Sequence, residues 1–243
     1  MYIWKCWRDT RSRFVILLLM MAALIILGTK GTWRVSGNAV GGKELLFAWA
    51  IILAGSRFIV PFFALGFGAS GVGEEFSDKT AEFLLTRPRN RSYFVWTSWA
   101  TGVTQILLLD CTYLIVAFVL LLYRTSTPFS QELMKFTGGL VKSVVPLLIL
   151  GALIYSMTYL LTALFRNGRN GYLTCVGIVL IYPMLVSWVH SQWNITLPSP
   201  NDLFAHSSTG ESVAFPIVAA LGWTLFTLAC PWVAQLYIER IDV

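Results

Sequence analysis

The sequence predicts an all-α integral membrane protein with six transmembrane helices, an N-terminal interfacial elbow helix and a short cytoplasmic helix between the second and third spans. Three observations lead there. Of the 243 residues, 56% are hydrophobic and only 12% charged, with a mean hydropathy of +0.69, whereas soluble domains carry roughly 25% charged residues. Six apolar segments approach the roughly 20 residues that a bilayer requires. None of them alternates apolar and polar residues as barrel strands do.

The first apolar segment, about residues 14–29, follows the basic stretch WKCWRDTRSR. No small-residue cleavage site follows it and further spans come after, so it reads as a retained helix rather than a signal peptide. The others are about 45–69, 94–122, 141–165, 172–189 and 213–237, and the whole chain, 1–243, reads as one polytopic domain. Six spans put both termini on one side. Lys and Arg number 11 on the side of the termini and 6 on the other, which assigns the termini and the second and fourth connections to the cytoplasm. The net charge of +6 is therefore a topology signal and calls for no nucleic acid. Cys6, Cys111, Cys175 and Cys230 lie in or beside spans without CxxC spacing, which makes them packing thiols rather than disulfides or metal ligands.

The second connection stands out. GVGEEFSDKTAEFLLTRPRNR, residues 71–91, holds eight charged side chains. At 100° per residue, Phe76, Thr80, Phe83 and Leu84 share one face, and Glu75, Asp78, Lys79 and Glu82 the other. This is a short amphipathic helix over about 74–86. Its acidic start suits the positive end of the helix dipole, Glu75 and Lys79 are spaced for an i,i+4 pair, and Pro88 stops it at Arg87. A helix resting on lipid prefers a basic polar face. An acidic one reads as a docking helix for a cytoplasmic partner.

Glu75, Thr80, the pair Leu84-Leu85, Pro88 and Arg91 resemble the signature E-x4-T-x3-LL-x2-P-x2-R of the permease subunits of type-2 ABC exporters. The resemblance covers nearly the whole chain. The N-terminal YIWKCWRDTRSR is similar to the family's elbow helix, FRNGRNG to its short basic second cytoplasmic loop, and the final ERIDV to a terminal R-R-D motif with Ile241 in place of the second Arg; Lys79 replaces a common Gly. The resemblance implies that residues 74–86 form the coupling helix that fits a groove on a separate ATPase subunit. It implies ATP and Mg²⁺ on that ATPase and no cofactor on this chain. It also implies a second permease copy, identical or a sister chain, in a bacterial inner membrane. Glu75, Asp78 and Glu82 would meet basic or donor groups of the ATPase, with Phe76, Phe83 and Leu84 as the packed anchor.

An exporter permease performs no chemistry of its own, and the sequence offers none. GNAVGGKE satisfies G-x4-G-K at Gly37, Gly42 and Lys43, but Glu44 stands where a phosphate loop needs Ser or Thr. The fifth connection, HSQWNITLPSPNDLFAHSSTGES, contains both histidines, Asp202 and several serines without a GxSxG elbow or HExxH; it reads as an outer, interface-hugging segment. The abundant aromatics suit belts at the two membrane faces. Inside the membrane stand Arg57 and Asp110, about 12 residues from the outer ends of antiparallel spans. At roughly 1.5 Å per residue they share a depth, and intramembrane charges usually pair, so an Arg57–Asp110 ion pair is expected. A different class of protein compatible with the same residues is a non-transporting membrane anchor or regulatory subunit that docks a cytoplasmic complex.

Overall fold

The computed structural model of the chain describes residues 2–33, 56–57, 59–70, 75–76, 91–123, 129–200, 202–205 and 217–240. Among these residues the secondary structure is helical throughout: α1 (Tyr2–Trp33), α2 (Ile59–Ala69), α3 (Arg91–Tyr123), α4 (Phe129–Phe165), α5 (Gly168–Trp193), α6 (Asp202–Ala205) and α7 (Ile217–Glu239). Four stretches are long and apolar enough to cross a membrane, Arg91–Val119, Val144–Phe165, Gly168–Trp193 and Ile217–Glu239. They contain or closely overlap the third to sixth predicted spans. Of the second predicted span, residues 45–55 and 58 lie outside the described residues, and residues 56–57 and α2 are its described part. At the N-terminus, the elbow and first span expected as two elements form one uninterrupted helix, Tyr2–Trp33; nothing between Arg8 and Phe14 is a Gly or Pro that would break it.

Helix α4 is the centre of the bundle. It packs against α3, α5 and α7, while α1 packs on α3. Of the apolar window of α4, 56% is buried, against 11% for α5, so α5 lies at the rim. Exposed Leu180, Ile181, Met184 and Trp188 on α5, and Val218, Leu221 and Leu225 on α7, form an apolar exterior that suits lipid and would be untenable in water.

Several polar side chains within these helices are satisfied locally or across helix seams. Thr104, Thr112, Thr174 and Thr224 donate to the carbonyl four residues earlier, which lets a hydroxyl sit in hydrocarbon without an open donor. Tyr159 donates from its hydroxyl to the Val95 carbonyl at 2.9 Å, and the Trp99 indole donates to Ser156 Oγ at 2.8 Å, joining α4 to α3. Trp96 donates to Gln235 Oε1 at 2.7 Å, joining α3 to α7.

Helices α4 and α5 form a tight hairpin through Arg166 and Asn167. Arg166 takes a left-handed φ of 51°. Asn167 then caps α5, its side chain accepting from the backbone N–H of Arg169 and Asn170. The two helices approach closely at Gly171, where an added Cβ would stand 2.5 Å from the backbone N and Cα of Thr162. At the far end Asn194 closes α5 in a left-handed conformation, φ 52°, which Asn tolerates well. From there residues 194–200 lead to the short helix α6, whose Leu203 and Phe204 are buried.

Candidate functional site

The charged segment begins and ends against its own chain. Lys5, on α1, donates to both carboxylate oxygens of Glu75, at 2.7 and 2.9 Å, across 70 residues of sequence. The pair is partly buried, with side chains 31% and 17% exposed. Phe76 packs against the main core cluster. At the other end Arg91, the first residue of α3, donates from a terminal guanidinium nitrogen to the carbonyls of Ile238 and Glu239, both at 3.4 Å. A cation there complements the negative end of α7. Asp78, Thr80, Glu82, Phe83, Leu84, Leu85 and Pro88 lie outside the described residues, as does Lys79.

Glu75 and Phe76 also have contacts within their own chain. Both are expected at a partner's surface, and here one meets α1 and the other the core. The basic group that Glu75 meets stands 70 residues away and no local spacing points to it. Arg91 likewise fastens the segment's end to α7, so the two ends of the segment are tied to the first and last helices of the chain.

Behind Glu75 lies a small pocket of about 40 Å³ where α1, α2, α3 and α4 meet, walled by Thr10, Phe67, Ser70, Thr101, Gln105 and Tyr155 among others. Gln105 is 1% exposed. Its Nε2 donates to Thr10 Oγ1 at 2.6 Å, while its Oε1 is buried without a hydrogen-bond partner. Gly102 makes room for the Tyr155 hydroxyl, which would collide with any Cβ there. The sequence reading passed over Gln105 because it sought charges. An uncharged amide inside an apolar run is the signal that marks it.

The expected Arg57–Asp110 ion pair is not formed. The Arg57 guanidinium lies over the Phe204 ring, 4.2 Å from its centroid, a cation–π contact that ties the second predicted span to α6. Asp110 is 1% exposed and its Oδ2 has no hydrogen-bond partner. The reason is angular. Oδ2 of Asp110 and a Cγ of Val60 both border the space beside Gly151, at 2.7 and 2.9 Å from where a Cβ would stand. Gly151 and Val60 border the space beside this carboxyl group, and Arg57 lies over Phe204.

The remaining candidates are structural in the described region. The four cysteines are free thiols. No group of three or more His, Cys, Asp or Glu side chains is placed to hold a metal among the described residues. His190 lies within the last turn of α5, and Trp188 and Trp193 pack edge to face at 5.1 Å on its exposed side. The G-x4-G-K segment and His206 lie outside the described residues.

The fold and composition define an all-helical membrane protein. Residues 15–243 match the family described as protein of unknown function (DUF2705), and the chain belongs to that family. No curated protein matches the chain.

Proposed function

We propose that the chain is the membrane-spanning permease subunit of a type-2 ABC exporter, moving a substrate out of the cytoplasm with ATP hydrolysed on a separate ATPase subunit. The observation that carries this reading is the E-x4-T-x3-LL-x2-P-x2-R pattern from Glu75 to Arg91, placed between the second and third apolar segments. The attachment of its ends gives it a mechanical sense. In this reading the chain has six spans with both termini in the cytoplasm of a bacterial inner membrane, and the first turns of α1 act as the elbow helix. Two permease copies, identical or sister chains, assemble with two ATPases that hold the ATP and Mg²⁺.

Asp78, Glu82, Phe83 and Leu84 dock on the ATPase, with Phe83 and Leu84 as the apolar anchor. When the ATPases close, the displacement of this segment passes to α1 through Glu75 and Lys5, and to α3 and α7 through Arg91. Links at both ends transmit a push that a slack loop would dissipate. Chemistry on this chain is not required; its residues position and transmit.

The test is a photo-crosslinking amino acid placed at Phe83 in native membranes. The expected product is a covalent adduct with a Walker-motif ATPase. Adducts confined to lipid, to this chain or to a cytoplasmic protein without ATPase motifs would turn the reading toward a non-transporting anchor.

A further inference from the structure

Asp110 is a polar group that the permease reading leaves without a task. At roughly 1.5 Å per residue it stands about 20 Å or more along α3 from either end, Arg91 or Tyr123. Its side chain is 1% exposed and Oδ2 has no hydrogen-bond partner. What borders that oxygen is hydrocarbon. The point where a Cβ on Gly151 of α4 would stand is 2.7 Å from Oδ2, 2.9 Å from Val60 Cγ1 of α2 and 3.3 Å from Ile106 Cγ2 of α3 itself. Neither α2 nor α4 presents a titratable group at this point. The titratable neighbours on α3, Cys111 and Tyr113, are uncharged at neutral pH, and neither donates to Oδ2. Among the described residues the Lys, Arg and His side chains stand in the first turns of α1 or at helix ends, apart from Arg57, whose guanidinium lies over Phe204.

We propose that Asp110 is a proton-binding site, held in this packing as the neutral carboxylic acid. A carboxylate inside a membrane protein needs a cation or several hydrogen-bond donors to replace the water it has lost, and Oδ2 has neither. A metal ion does not suit the same place. Hard cations such as Mg²⁺ and Ca²⁺ take about six or more oxygen ligands, and the methyl groups of Val60 and Ile106 supply none. A proton needs one oxygen only, and on binding it removes the charge. Release of the proton requires that water or a cation reach the group, so α2 or α4 must first draw back from it. The proton therefore belongs to the closed arrangement of α2, α3 and α4. The inference rests on this packing and is independent of the permease reading.

The test is infrared spectroscopy of the full-length protein in an ester-free detergent, with carbon-13 in the side-chain carboxyl of aspartate. A carboxylic acid shows a C=O stretch above the amide bands and a carboxylate does not, and the difference between labelled and unlabelled protein isolates the aspartates. An ordinary Asp is a carboxylate at about pH 8, since its pKa is roughly 3.9. The expected result is an isotope-sensitive acid band in the wild type at about pH 8 and its loss in Asp110→Asn, which keeps the shape of the side chain. A wild type without an aspartate acid band at that pH overturns the proposal, because the carboxyl is then ionised. A band that persists unchanged in Asp110→Asn overturns it too, because the proton then sits on another aspartate. If Asp110→Asn fails to fold, the smaller Asp110→Ser replaces it, with the same expected loss and the same refutation by a persisting band.

Discussion

Lys5→Glu and Glu75→Lys are each expected to lower stability, and the double exchange to restore most of it. Each single variant sets two like charges against one another where the wild type has a bidentate contact at 2.7 and 2.9 Å. The side chains are only partly exposed, at 31% and 17%, so solvent screens the pair less than it would a surface salt bridge worth under about 1 kcal/mol. A cost of about 1–3 kcal/mol per single variant follows from leaving a partly buried charge mismatched. Thermal unfolding of the purified protein checks it, and the double exchange should recover more than half the loss. Equal melting of all four proteins would mean that the segment is held by Phe76 packing instead. On the proposed permease reading, the same single variants in a complex with an ATPase leave ATP hydrolysis in place and reduce transport, because the link from the segment to α1 is what they weaken.

Gly171→Ala is expected to be strongly destabilising. The new Cβ would stand 2.5 Å from the backbone N and Cα of Thr162. No rotamer change moves backbone atoms, so α4 and α5 must separate along the hairpin that Asn167 closes. Overpacking of this kind costs about 1–3 kcal/mol, and more where the backbone must shift. Gly177, six residues later on the same helix, has nothing within 4 Å of its Cβ position. Gly177→Ala should therefore be neutral or stabilising by up to about 1 kcal/mol, since Ala is the better helix former. Thermal unfolding of the two variants side by side separates close approach from helix propensity. Similar behaviour of both would show that the α4–α5 contact is slack.

Much of this architecture could be read from hydropathy alone. The segments expected at 94–122, 141–165, 172–189 and 213–237 correspond to α3, α4, α5 and α7, with α3, α4 and α5 longer than their apolar stretches. The extra length has a simple cause: hydropathy marks where a helix is greasy, while the backbone stays helical into the polar flank. Helix α4 begins at Phe129 although the apolar stretch in the sequence begins at about residue 141. The residues expected as an elbow and a first span form one helix, Tyr2–Trp33, for the same reason, because basic residues end an apolar run without ending a helix.

What failed to be legible was angular and long-range. Arg57 and Asp110 were matched on depth, and depth says nothing about which face of a helix a residue occupies. Val60 and Gly151 border the space beside the Asp110 carboxyl, and Arg57 meets Phe204. The Lys5–Glu75 pair joins opposite ends of a 70-residue stretch, beyond the reach of any helical spacing rule. Gln105 carries no charge, and so escaped a search for charges in hydrocarbon, although it is as buried as Asp110.

The central claim is that Glu75 to Arg91 is where ATP hydrolysis on another chain enters this membrane protein. The most direct measurement is purification of the tagged protein from its native membranes in mild detergent, with mass spectrometry of everything that stays bound. The comparison is with the double variant Glu82→Lys plus Phe83→Ala. The account predicts a Walker-motif ATPase bound to the wild type and lost from a variant that is still inserted and folded. A stable wild-type preparation that carries no ATPase under any nucleotide condition, or an ATPase retained equally by the variant, would contradict it.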